Sequence, residues 1–198
     1  MKQAVRKDKE KVVKIIIESF DANPHVNFVI KNDRKRHKRI IEMAKYAFEF
    51  GMRRNGVHLT DDGLGVAIIF EYGKFPLNLR EYILQLGLGF KAFTIFRSVL
   101  VGKLEAQISK RRPGDVKFLY LWFFGVANEA LGSDDARELM KFIFSLSADQ
   151  KLPIFLETSI YRNSIIYKRY GFEEYDVFET GHDDLVMRFM KRSYEHKI

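Results

Sequence analysis

The chain has 198 residues, 46% of them hydrophobic, including eighteen Phe and nine Tyr. That is ample material for a core and argues against intrinsic disorder. There is no cysteine, which excludes disulfides, thiolate metal sites and cysteine catalysis, and Lys plus Arg exceed Asp plus Glu by 34 to 26 for a net charge of +8.

The first residues carry no apolar signal-peptide core. A short strand is expected near Gln3 to Arg6, followed by a helix on which Val12, Val13, Ile16, Ile17 and Phe20 recur at helical spacing. A second helix is expected over residues 33–52, with Ile40, Ile41, Ala44, Ala47 and Phe48 as its apolar face. The basic run KNDRKRHKR (31–39) opens it, and a smaller cluster, KRR, lies at 110–112. Such runs can meet nucleic acid, anionic lipid or an anionic small molecule. The run lacks interleaved aromatics, so a solvated helix start without specific nucleic-acid binding is the expectation.

Asp61-Asp62-Gly63 between two apolar runs signals a hairpin, and Pro76 should close this strand region. Residues 78–110 read as helical, with a break at GLGF. The most apolar window, 82–101, contains Gln85, Lys91 and Arg97. Charges near the middle of a span are expensive in lipid, so a buried helix is expected rather than a membrane span.

KFLYLWFFGV (117–126) is apolar on both alternating faces, Phe118, Tyr120, Trp122 and Phe124 on one and Leu119, Leu121 and Phe123 on the other. That pattern marks a central strand covered on both sides. A helix over 133–150, the strand LPIFLET, the helix NSIIYKRY and two final strands joined by TGHDD follow. The fold class is α/β (an α+β mixed sheet) with helices on both faces. No linker or repeat appears, so residues 1–198 form one domain in this reading.

The last third resembles the GNAT superfamily of N-acetyltransferases. The resemblance rests on FLYLWFFGVANEALGSDDARELM, PIFLETS and YRNSIIYKRYGFEEY, with N-x-x-x-Y-x-x-x-G-F as its most specific motif. It implies an acyltransferase that passes an acetyl group from acetyl-CoA directly to an amine of a small molecule or peptide. It also implies a central strand splayed from its neighbour at Phe124, Gly125 and Val126, with Gly125 at the irregularity. The pyrophosphate would lie at the helix start formed by Leu131, Gly132, Ser133, Asp134, Asp135, Ala136 and Arg137. Such a start offers unpaired N–H groups and the positive end of the dipole.

By the same resemblance Asn163 orients the cofactor and Tyr167 protonates the departing thiolate, with Tyr170 as the local competitor. Glu157 is the first candidate for general base, and Glu129 and His58 are further ones. Glu157 can equally be the structural partner of a nearby donor. Leu131 and Asp134 stand where the family has Gln or Arg and Gly, and two aspartates add like charge beside an anionic ligand. A degenerate GNAT-like domain that binds CoA weakly or not at all, and serves as a binding module, therefore stays open. No metal is expected. A soluble, cytoplasmic protein is expected, and nothing in the sequence excludes a homodimer.

Overall fold

The computed structural model describes residues 1–73, 95–182 and 184–196. Its seven-stranded mixed sheet has the order β1-β2-β3-β4-β5-β7-β6. The strands are β1 (Lys2–Gln3), β2 (Val57–Leu59), β3 (Gly65–Glu71), β4 (Leu119–Val126), β5 (Ile154–Thr158), β6 (Glu173–Glu179) and β7 (Val186–Arg192). β4 and β5 run parallel, and the other neighbours pair antiparallel. The helices are α1 (Lys9–Phe20), α2 (Pro24–Val29), α3 (Arg36–Arg53), α4 (Ile95–Ser109), α5 (Asp135–Gln150) and α6 (Tyr161–Arg169).

Apolar spacing decides which helix covers which face. Val12 and Ile16 of α1 and Ala44 and Phe48 of α3 are buried against Val66, Ile68 and Phe70 of β3 and Tyr120 of β4. Leu139, Met140, Ile143 and Phe144 of α5 cover the other face, against Ala67, Ile69, Leu119, Leu121, Ile154 and Leu156. α2 and α4 lie on the α1 side, where Val26, Phe28, Leu104 and Ile108 pack with Leu185, Met187 and Phe189. Each Val, Leu, Ile, Met or Phe among them contributes about 1.5–3 kcal/mol when fully buried.

The expected hairpin forms at Asp61-Asp62-Gly63. The Asp62 carboxylate accepts the Leu64 N–H at 2.9 Å, and Gly63 takes a φ of +77°. The first strand is shorter than expected, and α3 begins at Arg36 rather than 33. α4 covers the end of the helical stretch expected over 78–110, while Pro76 and GLGF lie outside the described residues. α2 was not expected. Asn23 caps it by accepting the N–H of His25 at 2.9 Å and of Val26 at 3.3 Å, and Pro24 supplies a preset first residue.

One departure reorganises the central strand. The β3–β4 register steps from Ile68↔Phe123 to Ile69↔Leu121, so Trp122 is an extra, bulged residue. A one-residue insertion reverses every side chain after it. Phe123 therefore packs with Trp122 on the α1 side, its ring 4.8 Å from that of Phe20, while Phe124 and Val126 turn toward α5. Strict alternation gives the opposite assignment for Phe123 and Phe124.

Candidate active site

β4 and β5 pair only through Leu119↔Ile154 and Tyr120↔Phe155. β5 stays registered with β7 along its whole length, from Ile154↔Arg192 to Thr158↔Arg188. The divergence therefore falls between β4 and β5, and the bulge at Trp122 adds local twist where it begins. From Leu121 to Val126 the β5-side edge of β4 has no ladder partner. A buried edge of that kind needs donors or acceptors from elsewhere.

Gly125 lies beside this opening but is not the bulge. A Cβ there would run into Ser19 of α1, whose hydroxyl donates to the Val126 carbonyl at 3.1 Å. The glycine permits the close approach of α1 that fixes the strand's end.

After β4 the chain makes a short turn and enters α5. Gly132 has a φ of +87°, and Leu131 is 69% exposed. The Ser133 hydroxyl has one proton to share between the Ala130 carbonyl, at 2.7 Å, and the Asp135 carboxylate, and it accepts the Asp135 N–H at 3.3 Å. Asp135 is thereby turned inward and buried. Asp134 turns outward to Arg137 at 3.2 Å and makes no capping bond. Neither carboxylate takes the N–H groups of Ala136 and Arg137. These have no partner among the described residues and stand at the positive end of a 16-residue helix. The start of α5 thus keeps the donors an anionic ligand requires.

α6 is the next element past β5. Asn163 and Tyr167 share one of its faces. Tyr167 packs against the same core cluster as Phe124 and Val126, its ring set edge-on to Phe172 with centroids 5.4 Å apart. Its hydroxyl has no hydrogen bond among the described residues, and burial pushes the phenol up to about 12. Tyr170 points elsewhere, edge-on to Phe144, whose ring also carries the Arg192 guanidinium at 3.8 Å.

Glu157 reaches the opposite, α1-side face. Its Oε1 accepts from Arg112 Nε at 2.7 Å, and its Oε2 accepts from Arg112 Nη2 at 3.3 Å and from the Tyr120 hydroxyl. Arg112 also donates to Tyr120 Oη at 3.0 Å and to Glu105 at 3.1 Å. The Arg112 and Glu157 side chains are only 9% and 7% exposed. The Tyr120 phenol is pushed well up by burial and by the Glu157 carboxylate. Both carboxylate oxygens are thus engaged, the arrangement of a structural partner of a nearby donor. Arg112 stood out in sequence only as part of a basic cluster, and Tyr120 only as an apolar strand residue.

The other base candidates lie apart from this network. Glu129 is 60% exposed and 3.5 Å from Lys14. His58 lies on β2, paired with Gln3 and Ala67, its ring 4.8 Å from Phe142. Among the described residues no group of three or more His, Asp or Glu could hold a metal ion, and no helix is long and apolar enough to cross a membrane.

A mixed sheet whose one parallel pair opens beside a helix start is the architecture of an acyl-CoA N-acyltransferase. No family model matches the sequence. A curated relative, an uncharacterized N-acetyltransferase of Schizosaccharomyces pombe, is 26% identical over 185 residues, covering 86% of this chain and 73% of the relative. A solved structure from Corynebacterium glutamicum, described as histone acetyltransferase HPA2 and related acetyltransferase, superposes with a TM-score of 0.70 at 17% identity, covering 99% of this chain and 96% of that one. Arylalkylamine N-acetyltransferase 2 of Aedes aegypti gives 0.67 at 14% identity, covering 98% of each chain. The chain has the fold of the GNAT N-acetyltransferases and is similar in sequence to a protein named as an N-acetyltransferase.

Proposed function

We propose that the protein transfers the acetyl group of acetyl-CoA to an amine of a small molecule or peptide. The observation that carries this reading is the opening of β4 from β5 after Tyr120↔Phe155, next to unpartnered N–H groups at the start of α5. Acetyl-CoA supplies an acyl group activated as a thioester. In this proposal the 131–137 turn takes the pyrophosphate, the free edge of β4 at Phe124 to Val126 offers backbone donors toward the acyl oxygen, and Asn163 helps orient the chain of the cofactor.

Tyr167 and Glu157 approach the opening from opposite faces of the sheet. That division suits a reaction with a leaving sulfur on one side and an entering amine on the other. Tyr167 stays protonated at neutral pH and has a hydroxyl proton to give to the thiolate. Glu157, clamped by Arg112 and Tyr120, fixes the geometry and negative potential of the amine side. The relative named as an N-acetyltransferase and a structural neighbour that is an arylalkylamine N-acetyltransferase support an amine acceptor.

Tyr167→Phe tests the assignment, because it removes the hydroxyl and keeps the ring. With the fastest acceptor from a panel of polyamines, amino acids, aminoglycosides, arylalkylamines and peptide N-termini, CoA release should fall about a hundredfold to ten-thousandfold. Acetyl-CoA affinity should hold. Full turnover in Tyr167→Phe, with loss in Tyr170→Phe, would move the role to Tyr170.

A further inference from the structure

If both oxygens of Glu157 are committed, the amine's proton needs another acceptor on the same face. We propose that His25 takes the proton from the attacking amine, with the Glu157 carboxylate stabilising the imidazolium that forms; this rests on the acetyl-transfer reading above.

The placement comes from three contacts of local chain. Asn23 caps α2, which puts His25 in the first turn. The His25 N–H also donates to Ser159 Oγ at 3.3 Å, and that hydroxyl donates to Asn23 Oδ1 at 3.1 Å. His25 is thereby tied to the residue just past the end of β5, where β4 and β5 have already separated. α2 packs on the α1 side of the sheet, the side Glu157 faces.

The chemistry of the ring fits the task. Its nitrogens have no hydrogen-bond partner among the described residues, in contrast to both oxygens of Glu157. Burial pushes the imidazole down to about 4, so it is neutral at physiological pH and has a lone pair to offer. Two charged groups act on it. The Glu157 carboxylate favours the imidazolium, and the Arg112 guanidinium opposes it. Glu157 thus stands to His25 as a stabilising anion, with Arg112 limiting how basic the ring becomes.

The step balances with groups already named. The amine lone pair forms a bond to the acyl carbon, the C–S bond breaks, and its electron pair leaves on sulfur. The amine proton passes to the imidazole, and the Tyr167 hydroxyl proton passes to the thiolate. The imidazolium and tyrosinate then return to neutrality by proton exchange through solvent, leaving an amide and free thiol. The attacking nitrogen grows more acidic as it bonds to the acyl carbon, so a weakly basic imidazole suffices.

Three measurements on the whole chain test this. Turnover of His25→Ala and His25→Gln should fall about a hundredfold or more. Acetyl-CoA affinity, by calorimetry, should stay within about threefold, because His25 stands on the amine side in this proposal and makes no contact with the cofactor. Added imidazole should restore part of the His25→Ala rate, which a purely structural role would not allow. In the ligand-free protein, the His25 ring followed by NMR should titrate near 4. Wild-type turnover kept by both variants, or loss that imidazole does not rescue, overturns the role of His25 and leaves acetyl transfer standing. Failure of the wild-type protein to bind acetyl-CoA overturns both.

Discussion

Asp134 and Asp135 are adjacent carboxylates with opposite fates, and their difference decides whether the α5 start can hold an anion. Asp135 is folded inward by Ser133, whereas Asp134 is 71% exposed and paired with Arg137. An exposed pair of this kind contributes only about 0.2–1 kcal/mol. Asp134→Gly should therefore shift acetyl-CoA affinity by less than about fivefold. A tightening well beyond that would mean that Asp134 faces the phosphates. A second residue-scale expectation concerns acid. Burial lowers the His58 imidazole to about 4, against an ordinary value of 6.5. The unfolded chain then binds that proton more readily than the folded one. The associated stability is complete above about pH 6.5 and is lost as pH falls toward 4. His25 acts in the same direction. His58→Gln should flatten the fall in Tm between pH 7 and 4.5, and an unchanged slope would show that His58 does not contribute.

At the scale of elements, most of the fold could be read from spacing. The apolar i, i+3, i+4 pattern of α3 and α5 and the Asp-Gly turn placed those elements within a few residues. The motif from Asn163 to Phe172 marked α6 and the strand after it. Two elements escaped for physical reasons. The bulge at Trp122 cannot be seen in a run that is apolar on both faces, because no polar residue marks the change of side. α2 is too short for periodicity, and its signal is Asn-Pro, an N-cap followed by a preset first residue. Of the candidate site, Tyr167, Asn163 and the 131–137 turn are named by resemblance, and their roles remain part of the proposal. Arg112, Tyr120 and His25 were not, since tertiary packing brings them to Glu157. Asn23→Ala removes a cap that also receives the Ser159 hydroxyl. A cost of about 1 kcal/mol is expected, typical of a lost cap. Chemical denaturation reads it as a lower midpoint with the same slope. No shift in midpoint would mean that α2 does not depend on its cap.

For the whole molecule, β4 and β5 part after Tyr120↔Phe155, and helices cover both faces of the sheet beside that opening. In this proposal α5 and α6 bring N–H groups, Asn163 and Tyr167 from one side. α2, β5 and the residues after α4 bring His25, Glu157 and Arg112 from the other. Within the basic run at 31–39, Arg36 and Arg39 are paired with Asp21 and Asp33. In this account the parting of β4 from β5 defines where the site lies. The measurement that bears most directly on this claim is calorimetric titration of the purified protein with acetyl-CoA, paired with a thermal-shift assay. Saturable binding at one site per chain, with a rise in Tm that grows with ligand concentration, is the expected result. Neither heat nor a shift at millimolar acetyl-CoA would contradict acetyl transfer and leave a GNAT-like domain that does not hold the cofactor.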